Sequence, residues 1–255
     1  SSFEFINLVK GNRHTTGVMS SLDVVDLFTN VPTDETIKII LQYLYHNSKL
    51  SPPIIPEESM SELLSLCTKE LPFRHPDGRL FRQINGIAMG SPLGPIFANF
   101  YLGHIESIVF DTFAKPPMYV RYVDDIFVIC QDATQLEDLR VTLQQHSVLK
   151  FTVENSDPQH GLAFLDVLLT QCDTGIAYSS YVKPSSEGLC MNGAGYCPVK
   201  YKESVIFNLL ARAYELSEDW SHFHTEVQRL KTLLVNNNYT NTMIDAVIEK
   251  FVRRK

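Results

Sequence analysis

The stretch MYVRYVDDIFVI, residues 118–129, decides the fold of this 255-residue chain. Two short apolar, β-prone runs meet there at the adjacent carboxylates of Asp124 and Asp125, which is typical of a β-hairpin with acids at its tip. Burying apolar strands around two negative charges is costly unless a cation or a functional site offsets the charge. The pattern therefore indicates a divalent-metal site rather than a core.

A second acidic segment has a matching context. Residues 20–28, SSLDVVDLF, predict another strand, with Asp23 and Asp26 inside it and a turn and a helix after it. If this strand lies beside the hairpin, Asp23 and Asp124 can share Mg²⁺, which prefers one or two carboxylates together with phosphates and water. Two such ions stabilise the attacking and the leaving oxygens of phosphoryl transfer. For Asp26 alone, a surface or turn-capping role is an equal alternative.

A third segment is rich in small residues and proline. Residues 86–95, GIAMGSPLGP, precede the apolar run IFANF and predict a loop that enters a buried helix from about Pro95 to Phe110. Small residues allow a backbone to approach a flat base or a template strand closely. By itself, such a loop is more often only a turn.

In this order the three segments resemble motifs A, B and C of reverse transcriptases. Four longer stretches narrow the resemblance to the reverse transcriptase of Penelope-like retroelements, relatives of telomerase: DVVDLFTNVPTDETI, QINGIAMGSPLGPIFANF, RYVDDIFVI and FTVENSDPQHGLAFLDVLL. The resemblance extends over roughly residues 3–255. It implies an α+β fold, a polymerase palm made of an antiparallel sheet with packed helices, followed by an all-helical thumb.

The resemblance also implies roles for individual residues. Asp23, Asp124 and Asp125 would be catalytic, and Asp23, the backbone carbonyl of Val24 and Asp124 would hold two Mg²⁺ ions, or Mn²⁺ in their place. Nucleotide-binding residues would be Asp26, Leu27, Phe28, Met89 and Gly90. Template and primer contacts would come from Ser91, Pro92, Tyr122 and Lys183. The ring of Phe28 would exclude a ribose 2′-hydroxyl, although alone this residue is better explained as a core aromatic.

The function implied is that of an RNA-directed DNA polymerase domain of a retroelement, which transfers a nucleotide from a dNTP to the 3′-hydroxyl of a DNA primer on an RNA template. The alternatives are a degenerate, non-catalytic nucleic-acid-binding remnant of the same fold and a remnant that acts through protein contacts. Differences from the sequence pattern of the family keep both alternatives open. The basic fingers segment would precede residue 1, Val182 replaces an arginine, Tyr196-Cys197-Pro198 replaces Ser-His-Pro, and no endonuclease pattern follows.

Periodicity gives the remaining organisation. We expect a palm over residues 1–190, with a partial fingers-like insertion at 35–82, and a thumb over 191–255. Helical spacing predicts helices from residue 33 and at 57–69, 133–146, 202–216, 223–235 and 241–254. Alternation and turn residues predict a hairpin at 73–81 and strands at 150–153 and 164–169.

Composition limits the class of protein further. The chain is 44% hydrophobic, carries no run of about 18 apolar residues and opens without a signal-peptide pattern. These features predict an intracellular protein with no membrane partner, and the resemblance implies a nuclear location. The charges are unevenly distributed: residues 1–197 carry 13 basic and 22 acidic side chains, whereas residues 198–255 carry 9 basic and 7 acidic ones. Because contacts with phosphates supply most of the non-specific affinity of a protein for nucleic acid, we expect weak, salt-sensitive binding. Five cysteines without zinc-type spacing predict reduced thiols.

Overall fold

The computed structural model describes residues 1–69 and 72–255. Its helices are α1 (Ser2–Gly11), α2 (Leu27–Asn30), α3 (Thr33–Tyr45), α4 (Glu57–Lys69), α5 (Gly94–Thr112), α6 (Ala133–Gln145), α7 (Val199–Glu215), α8 (Trp220–Asn236) and α9 (Asn241–Val252). Its strands are β1 (Val18–Val24), β2 (Pro72–Arg74), β3 (Leu80–Arg82), β4 (Met118–Tyr122), β5 (Asp125–Cys130), β6 (Phe151–Asn155), β7 (Leu162–Phe164), β8 (Val167–Cys172) and β9 (Gly175–Ser180).

The chain forms two compact units. The central unit comprises residues 17–155, and the flanking unit comprises residues 1–16 together with 156–255. The functional boundary that the sequence predicts at residue 190 remains a prediction, since a compact unit is not the same thing as a palm or a thumb.

The central unit is built on a four-stranded antiparallel sheet in the order β4-β5-β1-β6. One face of the sheet packs against helices, and Leu22 and Val24 of β1 join Ile126 and Val128 of β5 in that core. Full burial of such side chains contributes about 1.5–3 kcal/mol each. If the pairing of β1 slipped by one residue, its apolar side chains would move to the opposite face of the sheet and Asp23 would point into the core. The burial pattern therefore fixes the register.

The prediction of a strand over residues 20–28 is wrong at its end. Strand β1 ends at Val24, Asp26 is left-handed with φ 50°, and Leu27–Asn30 form the short helix α2. The reason is local: the Thr29 hydroxyl and the Asn30 amide both donate to the carbonyl of Asp26, at 2.9 and 3.0 Å. Such side-chain bonds compete with pairing in a sheet.

The strand predicted at 164–169 is also wrong as a single element. Leu165 has φ 54°, so the chain turns between β7 and β8, which pair with β9 in a three-stranded antiparallel sheet. The carboxylate of Asp166 accepts hydrogen bonds from Ser2, at 2.7 Å, and from Arg212. These partners are distant in sequence, so the alternation of apolar residues carried no sign of the turn.

The C-terminal part of the flanking unit is a bundle of three helices, as predicted. Helices α7, α8 and α9 enclose a core that includes Ile206, Leu210, Leu230, Ile244 and Phe251. The predicted hairpin at 73–81 and the predicted helices at 57–69, 95–110 and 133–146 are confirmed to within about two residues. No helix among residues 1–69 and 72–255 combines the length and apolar character needed to cross a bilayer.

Candidate active site

The acidic hairpin has a tight and strained tip. Tyr122 pairs with Asp125, so only Val123 and Asp124 connect strands β4 and β5. Val123 adopts φ 57°. A positive φ is a true outlier for a β-branched residue and persists only where the surroundings enforce it. The backbone next to the acids is therefore held in place by contacts outside the turn.

The register brings the three acids together. Asp23 of β1 pairs directly with Asp125 of β5. Residues paired in this way project from the same face, with Cβ atoms about 4.5–5.5 Å apart. The amide of Val24 donates to the carbonyl of Asp124 at 3.3 Å, which places the turn against the end of β1. The prediction that the first acidic strand lies beside the hairpin is confirmed.

The acids are accessible from solvent. Asp23 is exposed, and Asp124 and Asp125 are half-buried, while Leu22, Val24 and Ile126 beside them are buried. Like charges directly opposite each other on neighbouring strands are destabilising. The arrangement thus favours a cation at this end of the sheet.

The donor set fits a hard divalent ion that a substrate helps to hold. Carboxylate and carbonyl oxygens are the ligands that Mg²⁺ prefers, and Mg²⁺ usually takes only one or two carboxylates in addition to phosphates and water. Within the described part of the chain, no three Asp, Glu, His or Cys side chains form a group that holds a metal ion unaided. Asp23 and Asp124 therefore fit a site that substrate phosphates complete.

Phe28, predicted to contact the nucleotide, lies in α2 and is locked to the glycine-rich segment. Its carbonyl accepts a hydrogen bond from the amide of Ile87 at 2.7 Å. Its ring lies against Gly94, where an added Cβ would come within 3.3 Å of the ring. Gly86 lies even closer to the backbone of α2, since a Cβ there would lie 2.5 Å from the Phe28 and Thr29 carbonyl oxygens. The structure thus joins the first and the second motif.

Most of the remaining predicted nucleotide and template residues lie at the surface. Met89 and Pro92 are exposed, Ser91 is half-buried, and Gly90 has φ 88° with open space around it. Asp26, at the N-cap of α2, is exposed, and its side chain makes no capping hydrogen bond, whereas Leu27 is buried. Their binding roles stay predictions.

Tyr122 and Lys183 are also exposed. Tyr122 is the last residue of β4, directly before the acidic turn. Lys183 belongs to the flanking unit, three residues after β9. Their predicted contacts with template or primer also stay predictions.

Sequence reasoning missed a polar cluster behind the hairpin. Arg121 of β4 forms an ion pair with Glu106 of α5, and both side chains are largely buried, at 13% and 17% exposure. The hydroxyl of Tyr119 donates to Glu106 at 2.7 Å. Burial and the nearby carboxylate raise the pKa of Tyr119 far above its ordinary value, so this phenol stays neutral and donates. The signal was present: a lone Arg in an apolar strand and a lone Glu in an apolar helix each require a partner.

Comparison with known families identifies the class of protein. Residues 2–154 match the family described as reverse transcriptase (RNA-dependent DNA polymerase). This match covers more than half of the chain, so the chain belongs to the reverse transcriptase family. Residues 192–249, which include α7 and α8, match the animal helix-turn-helix domain. No curated protein sequence matches the chain.

Solved structures share the fold at low sequence identity. Telomerase from Candida albicans, in complex with a TWJ fragment of telomeric RNA, matches 97% of the chain with a TM-score of 0.61 and 13% identity. Telomerase from Candida tropicalis, with the same kind of fragment, matches 100% with a TM-score of 0.53 and 14% identity. The Sicinivirus 3Dpol RNA-dependent RNA polymerase matches 98% with a TM-score of 0.55 and 11% identity. The chain spans 43%, 42% and 54% of these proteins, respectively.

These likenesses confirm the predicted fold class. The central antiparallel sheet with its packed helices is that of a polymerase palm, and the C-terminal region is helical.

Proposed function

We propose that this chain is the RNA-directed DNA polymerase part of a retroelement protein and extends a DNA primer on an RNA template. The observation that carries the proposal is the cross-strand pairing of Asp23 with Asp125, with Asp124 in the adjoining turn. In a chain of this family, three accessible acids at one end of a palm sheet are suited to phosphoryl transfer and poorly suited to a structural role.

The residues would act as follows. The carboxylates of Asp23 and Asp124, with the carbonyl of Val24, would hold two Mg²⁺ or Mn²⁺ ions, and Asp125 would shape the site from the face that it shares with Asp23. When bound, the two ions activate the primer 3′-hydroxyl and stabilise the leaving pyrophosphate. The backbone amides of Asp26 and Leu27 bind the triphosphate.

The nucleotide and the template would be selected beside these acids. Phe28, whose ring lies against Gly94, would occupy the space that a ribose 2′-hydroxyl requires, and this would favour dNTPs. Met89 and Gly90, with Ser91 and Pro92, line the side of the template and the nascent base pair. Their exposure makes them available for these contacts.

The finer assignments rest on the resemblance to Penelope-like elements. They are the retroelement context, a nuclear location, and contacts of Tyr122 and Lys183 with primer–template. The helices α7–α9 would serve as the thumb that holds the duplex. The structural likeness to telomerase is compatible with these assignments but concerns the fold alone.

Primer extension tests the proposal. A DNA primer annealed to RNA is incubated with dNTPs and Mg²⁺, using both this chain and the longest reading frame that contains it. We expect extension that EDTA abolishes and that Asp124→Asn reduces by at least about 100-fold. Asp111→Asn, an exposed acid near the end of α5, is the matched control and should extend as the wild type does.

Two results would contradict the proposal. Extension that survives in Asp124→Asn would remove the assigned site. If both this chain and the longer reading frame bind the RNA–DNA duplex but extend no primer, with Mg²⁺ or with Mn²⁺, the result would favour the alternative of a non-catalytic nucleic-acid-binding remnant.

A further inference from the structure

Arg121 reaches from the β4 strand to two different parts of the central unit. Its Nε donates to Glu106 Oε1 at 2.6 Å, and its Nη2 donates to Glu106 Oε2 at 3.1 Å. Such two-pronged pairs are the strongest and most directional ion pairs in proteins. These two bonds therefore fix the orientation of the Arg121 guanidinium relative to helix α5.

The remaining arm of the same guanidinium holds the acidic turn. Nη1 donates to the carbonyl of Val123 at 3.1 Å and to Asn99 Oδ1, also on α5, at 2.8 Å. Val123 is the residue with φ 57°, and its carbonyl immediately precedes Asp124. One buried side chain thus connects a rigid 19-residue helix to the peptide that carries the acid.

Glu106, which anchors the guanidinium of Arg121, is itself held by a further hydrogen bond. Tyr119, two residues earlier on β4, donates to the same Glu106 oxygen that accepts from Arg121 Nε. The carboxylate therefore binds three donors, which fixes its rotamer and, through it, the guanidinium. A strained turn needs this kind of reinforcement, because a residue at positive φ relaxes when its surroundings allow it.

We propose that Arg121, anchored by Glu106, is a positioning residue that holds the Val123–Asp124 turn so that the carboxylate of Asp124 faces the same ion as Asp23. The catalytic consequence rests on the function proposed above, while the structural consequence does not. Outer-shell partners of this type change metal affinity or activity by about 10–100-fold when they are altered.

The chain offers a well-matched pair of variants. Arg121→Lys keeps the positive charge but loses the planar fork, so it cannot bond Glu106 and Val123 at the same time. Glu106→Gln keeps the volume and removes the anchoring charge. The control is Arg140→Lys on α6, where Arg140 makes a similar two-pronged pair with Glu137 but touches neither the turn nor the acids.

The first measurement needs no catalysis. Hydrogen exchange of the Val24 amide, which bonds to the Asp124 carbonyl, reports the position of the turn in the 255-residue chain. We expect both site variants to speed that exchange by about tenfold or more relative to wild type and to Arg140→Lys, at equal global stability. Mn²⁺ affinity, followed by electron paramagnetic resonance, should fall by about 10–100-fold in the same variants.

The second measurement separates positioning from folding. In primer extension we expect kcat to fall by about 10–100-fold in Arg121→Lys while the KM for dNTP changes by less than about threefold. Unchanged Val24 exchange in both variants would overturn the positioning role, whatever their melting temperatures and Mn²⁺ affinities. If wild type does not extend primers, the proposed function fails, yet Val24 exchange still decides this inference.

Discussion

Replacing Gly86 with alanine should loosen the contact between the first and the second motif by a predictable amount. Gly86 has φ 67°, and an added Cβ would lie 2.5 Å from the Phe28 carbonyl oxygen and from the Thr29 carbonyl carbon and oxygen. No real Cβ tolerates that distance to backbone. The segment at residue 86 must therefore move away from α2.

The cost follows from what this movement breaks. A non-glycine residue in the left-handed region costs roughly 1–2 kcal/mol. The bond from the Ile87 amide to the Phe28 carbonyl, at 2.7 Å, and the bond from the Thr33 hydroxyl to the Gly86 carbonyl, at 3.2 Å, are lost or weakened. Each contributes about 1 kcal/mol. We expect Gly86→Ala to lower the free energy of unfolding of the central unit by roughly 3–4 kcal/mol.

Gly78 supplies the matched control. It has φ 90°, but an added Cβ meets nothing within 4 Å. Gly78→Ala should therefore cost only the backbone strain of roughly 1–2 kcal/mol. Urea unfolding of both variants, followed by far-UV circular dichroism and by hydrogen exchange of core amides in the central unit, gives the difference. If the two substitutions lower stability equally, the packing of Gly86 against α2 does not constrain the site as argued.

Three further predictions concern the same unit. Gly94→Ala places a Cβ within 3.4 Å of the Phe28 ring and should change the ratio of dNTP to rNTP incorporation; an unchanged ratio in single-nucleotide insertion would count against Phe28 as the selective residue. The pKa of Tyr119 is raised by burial and by Glu106, so its stabilising contribution is complete below the unfolded pKa of about 10 and is lost as the pH rises above it. Tyr119→Phe should accordingly show a shallower loss of stability between about pH 9.5 and 11 than wild type, and a parallel loss would refute this. Burial, with a smaller effect of Asp132, raises the pKa of Cys130 to about 11. A disulfide reagent at neutral pH should therefore modify exposed Cys67 at least roughly 100-fold faster, and equal rates in the folded protein would be the contrary result.

The sequence predicted the parts of the fold that local pattern determines. The acidic hairpin, the long helix of the second motif and the three C-terminal helices all carry period-2 or period-3.6 spacing of apolar residues, and all three are present. The position of the Asp23 strand beside the hairpin was also predicted, as the arrangement in which Asp23 and Asp124 can share Mg²⁺, and the two strands do pair.

The parts that the sequence did not predict depend on hydrogen bonds that the spacing of apolar residues does not record, to partners both near and distant in sequence. Strand β1 stops early because the side chains of Thr29 and Asn30 donate hydrogen bonds to the carbonyl of Asp26. The chain turns at Leu165, after β7, and the next residue, Asp166, accepts hydrogen bonds from Ser2 and Arg212. The polar cluster around Arg121 and Glu106 joins residues 15 positions apart on different elements. A periodic pattern records the face on which a residue lies but not its partner across the fold.

If Asp23 and Asp124 serve one metal site, as proposed, their substitutions must be coupled, and a double-mutant cycle measures that coupling. Single-nucleotide insertion with Mg²⁺ is measured for wild type, Asp23→Asn, Asp124→Asn and the double variant. Residues that act as a unit are strongly non-additive. We expect each single variant to lose at least about 100-fold in kcat and the double variant to lose little more. Activity losses that multiply in the double variant, or a single variant that retains near-normal kcat, would contradict a shared site.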